Sequence, residues 1–269
     1  MNILDEIIIY KRKEVEERKS LYPVKLLEKS IHFGVKPISL KHYLLREDKY
    51  GIIAEIKRQS PSKGVINNHV SIERTSIGYM QAGASALSIL TDTKYFGGTN
   101  ADLEAARKFN YCPILRKEFI VNEYQILEAK SIGADAILLI AAVLGSEEIK
   151  NFSALAKSLG MEVLMEIHNE EELQNNLHKS VDIIGVNNRN LKTFKTDIET
   201  SVVLSEKIPD TFIKISESGI NDPDSIIYLQ KFGFQGFLMG EHFMQNSRPE
   251  KGCAEFIAKL NERLNRSKV

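Results

Sequence analysis

Glu55 and Lys57 stand two residues apart at the end of the apolar run Ile52-Ile53-Ala54, and the polar turn Ser60-Pro61-Ser62-Lys63-Gly64 follows them. In an extended strand alternate side chains share a face, so Glu55 and Lys57 point one way while Ala54 and Ile56 point the other. An acid beside a base can move protons, and a turn rich in hydroxyls and backbone N–H groups can hold an anion next to them. The theme recurs along the chain, where short apolar runs end in Arg116-Lys117-Glu118, Glu166, Asn187-Asn188-Arg189, Glu217-Ser218-Gly219 and Gly240-Glu241. Parity pairs Leu115 with Lys117, Leu164 with Glu166 and Ile215 with Glu217, so each polar residue continues an apolar row. Lysines and glutamates gathered in this way shift one another's proton affinities, which general acid–base catalysis exploits.

The elements that must position these residues alternate. Strand-like runs rich in Ile, Val and Leu fall at 52–57, 86–91, 113–117, 136–142, 162–167, 183–188, 212–217 and 236–240. Amphipathic, helix-like segments fall at 72–82, 101–109, 123–131, 147–159, 170–177, 198–207, 224–232 and 249–264. Continuously apolar strands imply a parallel sheet covered on its outer face. Gly83, Gly133 and Gly233 each stand at the end of a helical segment, as helix stops do. Eight such units predict an α/β fold, a (β/α)8 TIM barrel, over an open doubly wound sheet, because no GxGxxG follows a strand.

Residues 1–50 read differently. Ile3, Leu4, Ile7 and Ile8 recur at helical spacing, and the run from Lys11 to Lys19 mixes charges as a solvated helix face does. Pro23 and Pro37 interrupt the pattern, so a helical extension of short pieces, the last near 40–46, is expected ahead of a barrel at 51–269, the whole forming one domain.

In a barrel, chemistry belongs to the carboxyl ends of the strands. A phosphate site there commonly uses the loops after the seventh and eighth strands, which here hold Ser218-Gly219 and Gly240-Glu241, with Ser60 able to close it from the first loop. Tyr95-Phe96-Gly97-Gly98 offers either a packed turn or an apolar wall for a flat ligand.

Composition excludes other classes. The 269 residues carry equal numbers of acidic and basic side chains, which argues against nucleic acid or an anionic membrane as partner. No apolar run approaches the roughly 20 residues of a spanning helix, and the N-terminus lacks the order of a secretory signal, so a cytoplasmic location is expected. Cys112 and Cys253 read as free thiols, and the six histidines show no ligand spacing, so no metal site is expected.

The stretch from Ile53 to Ser62 resembles the signature of the indole-3-glycerol phosphate synthase family. So, in the same order, do Ser88-Ile89-Leu90-Thr91-Asp92, Leu115-Arg116-Lys117-Glu118-Phe119, Met165-Glu166, Gly185-Val186-Asn187-Asn188-Arg189 and Ser216-Glu217-Ser218-Gly219. The resemblance covers essentially the whole chain. It implies a cofactor-free lyase of tryptophan biosynthesis that closes the ring of 1-(2-carboxyphenylamino)-1-deoxyribulose 5-phosphate, then expels carbon dioxide and water. By resemblance either Lys117 is the general acid while Lys57 holds the substrate carboxylate and donates a proton in a later step, or the two lysines take each other's parts. Glu166 serves proton transfer in dehydration, and Glu55 orients Lys117. Asn187, Arg189 and Glu217 fix polar groups of the substrate and Phe96 packs on its aromatic ring, while Ser60, Ser218, Gly219, Gly240 and Glu241 hold the phosphate.

Two positions depart from the family pattern. Glu118 replaces a usual aspartate, and Asn122-Glu123 a usual Asp-Pro. The alternatives are phosphoribosylanthranilate isomerase, which would favour a cysteine at the end of the first strand, and a non-catalytic phosphate-binding barrel, which would not keep both lysines and all three glutamates. The expected partner is a small phosphorylated molecule, and the expected state a monomer.

Overall fold

The computed structural model describes residues 3–191 and 193–266. Its N-terminal part holds α1 (Ile3–Leu21), α2 (Val24–Leu27) and α3 (Leu40–Leu44). Strands and helices then alternate: β1 (Ile52–Ile56), α4 (Ile72–Ala82), β2 (Ala86–Leu90), α5 (Asn100–Phe109), β3 (Ile114–Lys117), α6 (Glu123–Ser131), β4 (Ala136–Ile140) and α7 (Ser146–Ser158). The series continues with β5 (Glu162–Ile167), α8 (Glu170–Asn176), β6 (Ile183–Asn187), α9 (Glu199–Ser205), β7 (Ile213–Glu217), α10 (Pro223–Gln230), β8 (Phe234–Met239) and α11 (Pro249–Arg266). All eight strands pair in parallel, each with its sequence neighbours, and β8 closes on β1 through Ile53 and Leu238. The predicted barrel is therefore observed.

Strand parity divides the core in two. Ile53, Ala86, Leu115, Ala136, Leu138, Leu164, Ile183, Ile215 and Leu238 fill the barrel interior, while Ile52, Ala54, Ile56, Leu87, Ile89, Val163, Met165 and Val186 pack outward under the helices. Each Ile, Leu, Val or Met among them taken from water contributes about 1.5–3 kcal/mol. The helices start where short polar side chains cap them. Ser71 Oγ accepts the Arg74 N–H at 3.3 Å ahead of α4, and Asp222 accepts the Ser225 N–H at 3.0 Å ahead of α10, where Pro223 occupies the first turn. Gly83, Gly133 and Gly233 follow helices with φ of 109°, 89° and 81°, values at which a Cβ would clash.

The N-terminal helices serve opposite ends of the barrel. Leu40 and Leu44 of α3 are buried with the interior residues, and Leu44 reaches Gly236 of β8, so α3 plugs the amino ends of the strands. Ile3, Leu4 and Ile7 of α1 border the cavity at the carboxyl ends. The expectation that the charged run of α1 is wholly solvated fails at one position. Lys11 is 2% exposed, with Asp92 at 2.8 Å, Glu118 at 3.0 Å and Glu14 at 2.7 Å. One turn further on, Val15 is also buried, so a narrow stripe of the helix faces inward. Among the described residues, no helix is long and apolar enough to cross a membrane.

Candidate active site

The carboxyl ends of the strands surround a cavity of about 520 Å³, bordered by Glu55, Lys57, Lys117, Glu166, Asn187 and Glu217. Register brings these residues together. Glu55 lies beside Ser88, Lys117 beside Leu90, Glu166 between Ile140 and Gly185, and Glu217 between Asn187 and Leu238. Two glycines leave room for the carboxylates. A Cβ on Gly185 would come within 2.5 Å of Glu217 Oε1, and one on Gly240 within 2.8 Å of Glu55 Oε1.

The charges form two groups. Lys57 Nζ is 3.0 Å from Glu55 Oε1, and the other oxygen of Glu55 accepts a hydrogen bond from Ser88 Oγ at 3.2 Å. Across the cavity Lys117 Nζ donates to Glu217 Oε2 and lies 3.4 Å from Glu166 Oε2. Glu166 Oε1 accepts from Asn187 Nδ2 at 3.1 Å, and Glu217 Oε1 is buried without a hydrogen-bond partner. Glu55 therefore acts on Lys117 through its charge and not through a direct contact. Glu55 is drawn to the lysine two residues along its own strand, and Glu217, expected to meet substrate, is the carboxylate bonded to Lys117.

These contacts set the proton affinities. Burial works against the charge of Lys117, yet Glu217, Glu166 and Glu55 outweigh it and hold the ammonium above its ordinary value. Burial raises Glu217 most, Lys117 opposes it and Glu166 adds repulsion, which leaves its carboxyl pushed up to about 7. Burial also disfavours charge on Glu166, but Lys117 and then His168 overcome it and hold this carboxyl below the usual range. Two buried carboxylates beside one ammonium therefore differ in readiness to carry a proton.

The rim can take an anion. Ser60, Ser62 and Lys63 from the first loop border the cavity, as do Arg189, Ser218, Gly219, Gly240 and Glu241. Ser218 and Gly219 are left-handed, with φ of 68° and 80°, and Asn188 Nδ2 holds the Ser218 carbonyl at 3.0 Å. Gly240 precedes the helical turn Glu241–Met244. The Glu241 carboxylate itself sits 3.1 Å from Arg189 Nη2 and 3.6 Å from Lys63 Nζ, so it currently engages the cations of this rim. Phe96 borders the cavity opposite, its ring centroid 5.8 Å from that of Phe119.

Two polar residues at strand ends turn out to face outward. Arg116 donates to the Gln125 carbonyl at 2.8 Å and to Glu128 Oε2 at 2.5 Å, and Asn188 bonds Ser216 and Ser201. Both have the wrong parity for the cavity. The two departures from the family pattern have local partners: Glu118 accepts from Thr91 Oγ1 at 2.6 Å and meets Lys11, and Asn122 caps α6 by accepting the Tyr124 N–H at 3.0 Å. Sequence reasoning did not single out Phe119 or the apolar residues of α1 as cavity walls, nor His168 behind Glu166. The spacing of Ile3, Leu4 and Ile7 marked an apolar face without saying what it covers.

A model of the family described as indole-3-glycerol phosphate synthase matches residues 4–256. The chain is 46% identical over 256 residues to the indole-3-glycerol phosphate synthase of Bacteroides thetaiotaomicron, covering 95% of this chain and 98% of that one. It is 41% identical over 260 residues to that of Caldanaerobacter subterraneus, covering 96% and 98%. Among solved structures it resembles a mutant tryptophan synthase alpha-subunit from Pyrococcus furiosus, with a TM-score of 0.61 at 13% identity over 80% of this chain and 99% of the other. That likeness concerns the fold alone.

Proposed function

The chain belongs to the indole-3-glycerol phosphate synthase family, a carboxy-lyase of tryptophan biosynthesis, and we propose that the residues at its barrel mouth divide that family's reaction among themselves as follows. Lys117 protonates the ketone oxygen of 1-(2-carboxyphenylamino)-1-deoxyribulose 5-phosphate while the aromatic carbon bearing the carboxylate attacks the ketone carbon. A carbon–carbon bond forms, and carbon dioxide leaves its bonding electrons in the ring. The new hydroxyl then departs as water after receiving a second proton, and the ring methylene gives one proton to a base. Glu166, held as a carboxylate by Lys117 and His168, is that base. Lys57 balances the substrate carboxylate and supplies the second proton; the alternative assignment gives these parts to Lys117 and the first protonation to Lys57. One proton is taken up per turnover.

Asn187 and Arg189 hold the substrate's polar groups, and Phe96 packs against its anthranilate ring. Glu217 meets substrate through Lys117, whose charge it balances before substrate arrives. The phosphate is taken by Ser60, Ser218, Gly219, Gly240 and Glu241, the last through its backbone N–H, with no metal or cofactor in the scheme. The observation that carries this reading is the placement of Lys117 between Glu217 and Glu166, across one cavity from the Lys57–Glu55 pair. A monomer in the cytoplasm completes the proposal.

The test is to incubate purified protein with the carboxyphenylamino substrate and follow indole absorbance. Well-folded protein that releases no indole product overturns the reading. Sedimentation at micromolar concentration checks the monomer.

A further inference from the structure

His168 and Glu172 lie next to Glu166 but do not border the cavity. The Nδ1 of His168 is 3.1 Å from Glu172 Oε2, and its Nε2 is 3.5 Å from Glu166 Oε1. The ring is almost enclosed, and Nε2 is buried without a hydrogen-bond partner. Glu172 is fixed independently of the ring: it accepts the His168 backbone N–H at 2.8 Å and Asn169 Nδ2 at 2.7 Å, while Asn169 caps α8. A carboxylate that the helix start already immobilises therefore aims the imidazole at Glu166.

Each ring nitrogen faces a carboxylate oxygen, an arrangement satisfied only when both carry a proton. The other groups facing this pair are known. Lys117 of β3 lies 3.4 Å from Glu166 Oε2, Asn187 of β6 donates to Oε1 at 3.1 Å, and Glu217 of β7 acts on the ring from farther away. Against the Glu166 carboxylate stand one ammonium from inside the barrel and one imidazole from behind it.

We propose that His168 is a positioning residue for Glu166: as an imidazolium braced by Glu172, it fixes the Glu166 carboxylate and keeps it ionised until the proton-transfer step of dehydration. The proposal rests on the functional reading above. Electrostatics agree with it. Burial opposes charge on the ring, but the hydrogen bond to Glu172 and the charges of Glu166 and Glu172 prevail, raising its proton affinity.

The test compares pH profiles of kcat and KM for wild type, His168→Asn, Glu172→Gln and the double variant. Asparagine keeps an amide donor and removes the charge. With the positive charge gone Glu166 binds its proton more tightly, so the acid limb of kcat moves up by about one pH unit. On the acid side of the shifted limb kcat falls by up to about tenfold, with KM changed less than about twofold. The deficit closes as pH rises above the shifted limb, where Glu166 is ionised in both proteins. Glu172→Gln shifts the limb in the same direction by less, and the double variant goes no further than His168→Asn, because both act on one group.

A uniform loss at every pH, with the acid limb where wild type has it, overturns the proposal, as do wild-type rates in His168→Asn. Should His168→Asn unfold, Glu172→Gln keeps the ring and decides alone: an unmoved limb overturns the proposal. Wild-type turnover is measured first. Its absence removes the functional reading and this proposal together, whereas active wild type with an unmoved limb removes only the role of His168.

Discussion

As the proposed general acid, Lys117 would give up a proton that its neighbours hold tightly. Burial alone would loosen it, but Glu217, Glu166 and Glu55 raise the affinity of the ammonium. Glu217 is the group able to change this balance, because its own carboxyl is pushed up to about 7. Below that pH Glu217 is uncharged and Lys117 is a stronger acid; above it the carboxylate holds the proton back. The rate at saturating substrate is therefore expected to fall as pH rises through about 7, and Glu217→Gln, which fixes the uncharged form, is expected to remove that limb. A kcat profile of both proteins checks this, and a limb retained in the variant refutes it. Lys117→Ala is expected to lower kcat by about 10²–10⁴-fold with an unchanged circular dichroism spectrum. Strand parity made the members of the site legible, since Glu55, Lys57, Lys117, Glu166 and Glu217 each continue an inward apolar row. Their pairing was not legible. Which carboxylate reaches across a barrel depends on its closure and on glycines such as Gly185 and Gly240, and neither constraint is local in sequence.

Among the elements, α1 shows how one charged residue can decide where a helix lies. Its apolar stripe is thin, and its most deeply buried charge is the Lys11 ammonium between Asp92, after β2, and Glu118, after β3. A second contact lies nearby, where Tyr10 and Tyr95 meet edge to face with centroids 6.0 Å apart and Lys94 Nζ stands 4.1 Å from the Tyr10 centroid. Lys11→Met keeps much of the side-chain volume but removes the ammonium facing Asp92 Oδ2 and Glu118 Oε1, an expected cost of about 3–5 kcal/mol. Denaturant unfolding measures that loss. Because Ile3, Leu4 and Ile7 of the same helix border the cavity, KM is also expected to rise several-fold; an unchanged KM would show that α1 does not help bind substrate. The sequence announced a helix here through spacing, yet concealed its buried lysine inside a run of mixed charge. Charge runs usually mark solvated faces, and only the distant Asp92 and Glu118 make Lys11 an exception.

For the whole molecule, the two ends of the barrel divide the work. At the amino ends α3 inserts Leu40 and Leu44 into the interior, and at the carboxyl ends the polar residues meet around the cavity. Leu40→Ala is expected to destabilise the protein by about 2–5 kcal/mol while leaving kcat and KM within about twofold at temperatures where it stays folded. Thermal melting and steady-state kinetics on one preparation check both parts, and an altered KM would show that the ends are coupled. The barrel was legible from alternation and continuous apolar strands because those signals are local and repeat eight times. The plug and the cover were less so, because their partners lie far along the chain. The latch at Lys11 also constrains the order in which this protein matures. Its carboxylates come from the ends of β2 and β3, so the helix that walls the cavity is synthesised well before the groups that can hold it. A lysine is costly to bury without them. Burial of Lys11 therefore cannot precede the placement of those strand ends, and until they are in place the cavity lacks its α1 wall.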